Sequence, residues 1–409
     1  MTFIRRRLEQ GDLDVMIAAH ERFVEGRTGG RRLSLKFVDL NGLSLAGRGL
    51  EEADFTGCSL ERARLQGARM ARAVLFCADL RGADFTAADL TRADLRGACL
   101  RGATLVAADL TRADLREGII AIPHATKGLA AVKHEVRKGV ADGARFSGAT
   151  LDGSHFDGIT AFKADFSDCS MRGARLTGAN LKEANLDGAM MENAAVDGCN
   201  LAGARLTGAI LTGVDVGRAT MDRADLTGAL RTPSAATIAR ADALLEQALD
   251  ANAWAESGGV FGQPAMFDGE DLRPVGARLA GLKLPGLSAR GACLVGMDLR
   301  GVGLQGACLD GADLRGCDLR GADLRGARLN RALLSNADLR GAVLAPLPLG
   351  KGRQAPVQLS GAGLRYARMQ GAVLTDAVLD GADISGAKLD VAGLSEDQKR
   401  ALTSTARAA

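Results

Sequence analysis

Charged side chains recur at fixed intervals in this sequence, and they are the first residues whose spacing could support chemistry. In the stretch 298–340, an aspartate recurs every twenty residues and an arginine follows each of them by two. If residues twenty apart stack on one face, carboxylates and guanidinium groups form two adjacent rows. Such rows are either a surface ladder that neutralises itself or an arginine face for an anionic partner. The arginines concerned are Arg300, Arg320 and Arg340.

A second group of cations lies between residues 116 and 143, where Lys133, Arg137 and Lys138 are close in sequence. A basic cluster of this kind is a candidate contact for an acidic partner, and it is equally the solvated face of a loop. Charge is also polarised along the chain. Residues 146–226 contain seven Lys and Arg against eleven Asp and Glu, whereas residues 279–394 contain fourteen against ten.

No arrangement of residues typical of an enzyme is found. The sequence has no GxSxG, Walker A or HExxH motif, and its four histidines are scattered. Pairs of carboxylates occur throughout the repeats, so none of them is distinguished as a catalytic pair. The formal net charge is only +3, which does not favour direct nucleic-acid binding. We therefore expect no catalytic residue, no metal, no cofactor and no small-molecule substrate.

The cysteines indicate packing rather than metal binding or disulfides. There are eight, without a CxxC pair, and this usage suits a reducing compartment. The first residues lack the apolar stretch of a signal peptide, and no run of about 18 apolar residues exists. We expect a cytoplasmic protein without a membrane span. Four cysteines stand where the repeat otherwise places a small residue, namely Cys58, Cys169, Cys199 and Cys317.

The elements that position these charges have a period of five. Residues 311–344 read GADLRGCDLRGADLRGARLNRALLSNADLRGAVL, with leucine at every fifth position and Ala or Cys two residues before it. On an α-helix, five residues advance roughly 140° past a full turn, so the leucines would spread around it. In a flat strand an odd period alternates between faces. A chain that bends after each pentad points all of them toward one axis, and its coils stack about 4.8 Å apart.

The pattern A-(D/N)-L-x-x resembles the pentapeptide-repeat proteins. The resemblance implies an all-β solenoid, a right-handed quadrilateral β-helix with four pentads per coil. The central Leu or Phe and the small residue before it would fill the interior. The single Trp and single Tyr among 409 residues agree with a narrow interior. Short capping helices and two non-repeat breaks complete the expected fold.

The register of the repeats predicts the domain boundaries. We expect an N-terminal helical cap at 1–34, a solenoid at 35–230 interrupted at 116–143, a helical linker at 231–270, a second solenoid at 271–394 and a C-terminal cap helix at 395–409. Ser395 and Gln398 have the spacing of a capping box at the start of that last helix.

Several local expectations depend on this register. Arg48 falls on an inward position and would not fit a tight interior, so the first coil should be distorted. One interpretation of the first break is a short helix at 129–138. A more strongly patterned helix is expected at 234–257. Residues 345–358 should bulge as a loop while Leu349 stays in step with the interior.

We interpret the chain as a non-enzymatic scaffold that presents a rigid, extended surface for protein–protein interaction. The repeats use their side chains for stacking and leave no pocket. The resemblance implies an alternative, because some pentapeptide-repeat proteins mimic duplex DNA, bind type II topoisomerases and protect them from quinolones. Those members are acidic along their length, whereas only residues 146–226 have an acidic excess here. A third interpretation places an enzyme site at the inserts. The identity of the protein partner is left open.

Overall fold

The computed structural model describes residues 5–124, 128–390 and 394–406, with the side chains of 122–133 and 402–406 left aside. The chain divides into two compact units, Met1–Thr232 (unit 1) and Pro233–Ala409 (unit 2). Each unit has its own continuous apolar interior.

Parallel bridges of single residues stack pentads that lie twenty residues apart. The backbone N–H of Leu35 donates to the carbonyl of Asp54 over 2.7 Å, and the N–H of Asp54 donates to Leu33 over 3.0 Å. Each coil thus satisfies the backbone polar groups of its neighbour. One coil of unit 1 shows the four bridged positions, which join Ser34 to Asp54, Asp39 to Ser59, Ser44 to Arg64 and Gly49 to Arg69.

The interior contains the residues that the period predicts. Every central leucine from Leu314 to Leu344 is at most 1% exposed, and the small residue two positions before each is buried as well. In two pentads a large residue occupies the small-residue position and an alanine occupies the central position. All four side chains are buried: Ile159 with Ala161, and Leu287 with Ala289. The exchange keeps the volume within the coil, as close packing requires. The predicted inward phase is confirmed.

The four cysteines of the small slot are buried, and all eight in the chain are free thiols. The Sγ of Cys58 donates to the carbonyl of Leu35 over 2.9 Å, and that of Cys317 donates to Leu294 over 2.8 Å. Burial raises the pKa of the Cys58 thiol to about 11. The Cys58 thiol therefore stays protonated near neutral pH, and the buried cysteines act as interior packing groups.

Helix α1 (Gln10–Val24) covers the first coil of unit 1. Arg48 is inward by phase, but its guanidinium meets the Glu21 carboxylate of α1 over 2.9 and 3.0 Å. The end of the solenoid thus accommodates the arginine through an ion pair with its cap. Three side chains of α1 face the coil and are buried, namely Leu13, Ile17 and His20.

The first break forms an antiparallel hairpin, which we call the first hairpin: β3 (Gly118–His124) and β4 (Gly128–Arg137). The helix expected at 129–138 is therefore wrong. Ile120 is buried while its neighbour Ile119 is 61% exposed, so the period of two characteristic of a strand governs this segment. Two short parallel strands, β1 (Arg6–Arg7) and β2 (Val38–Asp39), pair beside the first coil.

The bulge in unit 2 is also an antiparallel hairpin, the second hairpin, made of β5 (Leu347–Gly350) and β6 (Arg353–Ala355). Leu349 lies on β5 and is 53% exposed, so the expectation that it stays in step with the interior is wrong. Stacking resumes beyond the hairpin. The last short strands, β7 (Arg368–Met369) and β8 (Lys388–Leu389), pair in parallel.

Unit 2 begins with two helices rather than one, α2 (Ala235–Ala239) and α3 (Ala241–Glu256). Ser234 caps α2 by accepting a hydrogen bond from the N–H of Thr237. Repeat stacking starts inside the interval 231–270 that the sequence assigned to a linker, because Met266 bridges Ser288. A 3-10 helix follows at Arg273–Leu279.

Helix α4 (Glu396–Ala406) closes the other end of unit 2. Its predicted capping box forms, since the N–H of Gln398 donates to the Ser395 hydroxyl over 3.2 Å and the N–H of Ser395 donates to the Gln398 side chain over 2.9 Å. The Gln398 amide also donates to the carbonyls of Leu374 and Ala377 over 2.7 and 3.0 Å. The cap thereby satisfies backbone carbonyls of a terminal coil.

Candidate interaction surfaces

One candidate surface is the arginine row of unit 2. Parallel bridges join Asp298 to Asp318 and Asp318 to Asp338, which places the three aspartates one coil apart on one face. Each arginine folds back onto the aspartate two residues before it, with Nε–Oδ1 distances of 2.8–2.9 Å and Nη2–Oδ2 distances of 2.6 Å. The arginines paired in this two-pronged way are Arg300, Arg320 and Arg340.

Contacts between coils extend these pairs into a ladder. The Nε of Arg300 lies 3.7 Å from Asp318, and the Nε of Arg320 lies 3.9 Å from Asp338. Hydrogen bonds from Arg300 lower the pKa of the Asp298 carboxyl, and the same bonds raise the pKa of the Arg300 guanidinium. Both groups stay charged near neutral pH. An anionic partner at this face would compete with the aspartates for the guanidinium groups.

The other candidate cations lie at the first hairpin of unit 1. The Nη1 of Arg137 donates to the carbonyl of Cys77 over 3.2 Å, and its Nη2 lies 3.6 Å from Glu135. Lys138 follows directly and is exposed. Lys133 belongs to β4, but its side chain lies outside the described part of the structure. The structure therefore anchors Arg137 on the solenoid wall and leaves Lys138 in solvent.

Two further cations lie with this pair, and the sequence pattern alone does not single them out. Arg137 and Lys138 border a surface cavity of about 370 Å³ together with Arg5 and Arg81. Arg5 precedes the first helix, and Arg81 belongs to an ordinary D-L-R pentad. The usable signal was the isoleucine-rich run at 119–122, bounded by Gly118 and Pro123, which is typical of a strand. The arginine row belongs to the other compact unit.

No group of three or more His, Cys, Asp or Glu side chains is arranged to hold a metal ion in the described ranges. None of the helices described is long and apolar enough to cross a membrane.

Stacked pentads with a small residue and a leucine turned inward define a class of repeat protein. The family profile described as "Pentapeptide repeats" matches the sequence in eight copies, which together cover more than half of the chain. The chain therefore belongs to the pentapeptide-repeat family. The matched segments are 53–92, 88–118, 142–178, 162–195, 191–228, 275–316, 317–345 and 358–390.

Solved structures of the family resemble this chain only distantly. HetL, a pentapeptide repeat protein involved in heterocyst differentiation regulation from the cyanobacterium Nostoc sp., is 20% identical, with 90% of this chain and 93% of HetL covered at a TM-score of 0.18. A pentapeptide repeat protein from the cyanobacterium Cyanothece is 26% identical over 34% of this chain and 86% of its own, with a TM-score of 0.21.

A third solved structure is QnrB1, described as a plasmid-mediated fluoroquinolone resistance protein. It is 18% identical, covers 51% of this chain and 94% of its own, and has a TM-score of 0.23. No curated protein matches the sequence.

Proposed function

We propose that this chain is a non-enzymatic pentapeptide-repeat scaffold in the cytoplasm, which binds a protein partner through the rigid outer faces of its coils. The observation that carries the proposal is the filled interior. Inward positions are buried through most of both units, and those of residues 214–229 at the end of unit 1 are partly buried. Stacking thus consumes the apolar side chains and leaves the polar outer rows for recognition. The eight free thiols fit a reducing compartment.

The proposed architecture is the right-handed quadrilateral β-helix of the family. Four bridged positions recur in most coils, usually twenty residues apart, which supports one flat face per pentad. Neighbouring coils would lie about 4.8 Å apart. A partner would then meet side chains at fixed spacing in two directions, and binding would cost little conformational entropy on this side of the interface.

The arginine row supplies the test. A triple variant, Arg300→Gln with Arg320→Gln and Arg340→Gln, removes the guanidinium groups without adding charge of the opposite sign. The full-length chain would first be used to capture binding proteins from an extract of the source organism. The affinity of each captured and purified protein would then be measured for the unmodified chain and for the triple variant. We expect the triple variant to weaken the specific partner at least about tenfold, or about 1.4 kcal/mol.

A matched control exists in unit 1, where Arg96 and Arg116 form the same two-pronged pairs with Asp94 and Asp114. The double variant Arg96→Gln with Arg116→Gln should leave that affinity within about twofold. Equal losses of affinity in the triple and the double variant would show that the effect comes from the net charge of the chain and not from the arginine row. A chain that retains no protein with measurable affinity would contradict the scaffold proposal.

The gyrase-protecting alternative is separated by a different experiment. Purified DNA gyrase would be titrated with the full chain in the presence of a quinolone, and cleaved DNA would be measured. Protection at stoichiometric concentrations would replace the scaffold proposal with a topoisomerase binder. The scaffold proposal expects cleavage to be unchanged. The acidic excess within residues 146–226 is the feature on which such mimicry would depend.

A further inference from the structure

The surface cavity of unit 1 is assembled by three segments that are far apart in sequence. Arg5 comes from the chain just before β1, Asp79 and Arg81 come from one repeat face, and Arg137 and Lys138 come from the end of the first hairpin. Its volume of about 370 Å³ falls in the size range of sites for small molecules. The cavity therefore depends on the hairpin and on the N-terminal segment, not on the repeats alone.

Two of its guanidinium groups are fastened to consecutive coils. The Nε of Arg5 donates to the carbonyl of Gly57 over 2.9 Å, and the Nη1 of Arg137 donates to the carbonyl of Cys77 over 3.2 Å. Gly57 and Cys77 are equivalent corner residues twenty positions apart, and stacked coils lie about 4.8 Å apart. Each bond uses one donor of a side chain that has five N–H groups. The two like charges are thus held near each other, with donors to spare.

The carboxylates near the cavity do not cancel its charge. Arg81 donates two hydrogen bonds to the Asp79 carboxylate, over 2.8 and 2.7 Å, and forms an ion pair with Glu61 at 3.1 Å. Arg137 forms an ion pair with Glu135 at 3.6 Å. Burial alone would raise the pKa of Asp79, but the hydrogen bonds from Arg81 outweigh burial and lower it. Among the described residues, four cations border the cavity, and the carboxylates that pair with Arg81 and Arg137 are Asp79, Glu61 and Glu135.

The excess charge lies on the two cations without a carboxylate partner. Within the described part of the chain, neither Arg5 nor Lys138 takes part in an ion pair, although both border the cavity. Lys138 is exposed and can move toward a ligand, whereas the Arg5 guanidinium is already oriented by its bond to Gly57. An oxyanion between them would relieve the repulsion of the clustered cations.

We propose that this cavity binds a phosphate group, either free or esterified to a small molecule. Guanidinium forks match the geometry of phosphate oxygens, and a lysine adds a compact point charge. Since Arg5 and Arg137 are anchored before the ligand arrives, little ordering is required on binding. The site extends the activity of this chain beyond protein contacts, and it does not depend on the scaffold proposal.

The experiment is a calorimetric titration of the full-length chain at low and at physiological salt. Inorganic phosphate and glycerol 3-phosphate are the two probes, and glycerol is the uncharged control. We expect one site per chain with a dissociation constant of about 1 mM or tighter. Tighter binding of glycerol 3-phosphate than of inorganic phosphate would indicate a phosphate ester as the ligand. Tighter binding of inorganic phosphate would indicate free phosphate. Failure of both probes to bind at millimolar concentration overturns the proposal.

Three variants, each lacking one positive charge, distinguish phosphate binding in the cavity from nonspecific electrostatic attraction of phosphate to the chain. Lys138→Gln and Arg5→Gln should each weaken binding about tenfold. Arg101→Gln should change it by less than about twofold, because Arg101 occupies the same pentad position as Arg81 one coil further along and pairs with Asp142 over 3.5 Å. A thermal melt of each variant checks that it is folded. Equal weakening by Lys138→Gln and Arg101→Gln would show nonspecific attraction and overturn the site.

Discussion

The two hairpins of this protein replace the same part of a coil with inserts of different length. In unit 1 the bridge from Cys99 reaches Val140, 41 residues away, and in unit 2 the bridge from Arg328 reaches Gln358, 30 residues away, whereas regular bridges span twenty. The first insert shifts the phase of the repeat and the second does not. Both coils nevertheless stack without interruption, so bridge pairing rather than residue count sets the register.

The point of exit explains why both lengths are tolerated. Each hairpin leaves after a central leucine, Leu115 or Leu344, and returns at the next small slot, where Gly139 and Val357 are buried. Only the corner between two pentads is replaced. A corner lies outside the interior and can be extended freely, since its backbone is paired within the hairpin. A corner that is too short, however, cannot reach the next slot.

Deletions at the first hairpin test this difference and should give the largest effect. Removing residues 118–138 takes out the 21 residues added to the coil, so Gly139 follows Glu117 in the small slot. We expect this variant to fold. Removing 118–139 instead leaves the corner one residue short and moves every later inward residue off its position. The coils that follow in unit 1 should then lose cooperative structure.

Hydrogen exchange over residues 140–230, with far-UV circular dichroism, measures the outcome. The shorter deletion should preserve protection there, at a stability cost of a few kcal/mol for the lost hairpin contacts. Equal protection in both deletions would mean that a corner accommodates a missing residue as easily as an additional one.

The first hairpin is attached by a buried contact, which gives the next prediction. Ile120 is 3% exposed and its Cδ1 lies close to the corner at Gly57, whereas Ile119 faces solvent. We expect Ile120→Ala to lower the free energy of unfolding of unit 1 by about 2–3 kcal/mol, and Ile119→Ala by about 0.5 kcal/mol or less. Denaturant titration of both variants measures the difference. Similar losses would show that the hairpin does not pack on the wall.

The sequence predicted the repeats better than the segments that interrupt them. A period of five repeated many times leaves one way to bury Leu324 and its equivalents together, so the interior phase and the stacking over twenty residues followed from the pattern. The breaks carry no repetition. Segment 129–138 contains Ala and Lys, which favour a helix locally, yet it pairs with β3 because Ile120 can then be buried.

The candidate site was predicted only in part, for a related reason. Arg137 and Lys138 were recognisable as a basic cluster. Arg5 and Arg81 line the same cavity, although they lie 132 and 56 residues before Arg137 in the sequence. The pairing of Arg300 with Asp298 is local, because side chains that flank one inward leucine point to the same side. The cavity is nonlocal and depends on where the hairpin lies.

The second hairpin rests on a glycine corner, where a smaller effect is expected. Gly326 has φ of +67°, and a Cβ built on it would lie 2.6 Å from the Cβ of Leu347. Gly321 has φ of +65° with open space around it. Gly321→Ala should cost about 1 kcal/mol for its backbone conformation alone. Gly326→Ala should cost about 1 kcal/mol more, because the hairpin must move.

Thermal unfolding of unit 2 in the two variants measures this difference. A double variant with Leu347→Gly removes the clash and should bring Gly326→Ala back toward the cost of Gly321→Ala. If the two single variants are equally stable, then the second hairpin does not rest on the corner, and the two hairpins would differ in attachment as well as length.

Helix α1 is a third element on the surface of a solenoid, and it contacts the coil through a fully buried histidine, His20. The Nδ1 of His20 accepts a hydrogen bond from the N–H of Leu33 over 3.0 Å, and its Nε2 has no partner among the described residues.

Burial lowers the pKa of His20 from the ordinary value of 6.5. Below pH 6.5 the unfolded chain binds a proton at His20 that the folded chain excludes. Neutral His20 therefore makes its full contribution to the free energy of unfolding above pH 6.5, and that contribution is lost progressively as the pH falls. We therefore expect unit 1 to lose stability progressively as the pH falls from 6.5 to 5, and denaturant titration across this range measures the loss. His20→Gln keeps an acceptor for Leu33 without a titrating ring and should flatten the dependence. An unchanged slope in that variant would assign the pH effect to other groups of unit 1, and His20 would then be a packing residue of α1 as Ile120 is of the first hairpin.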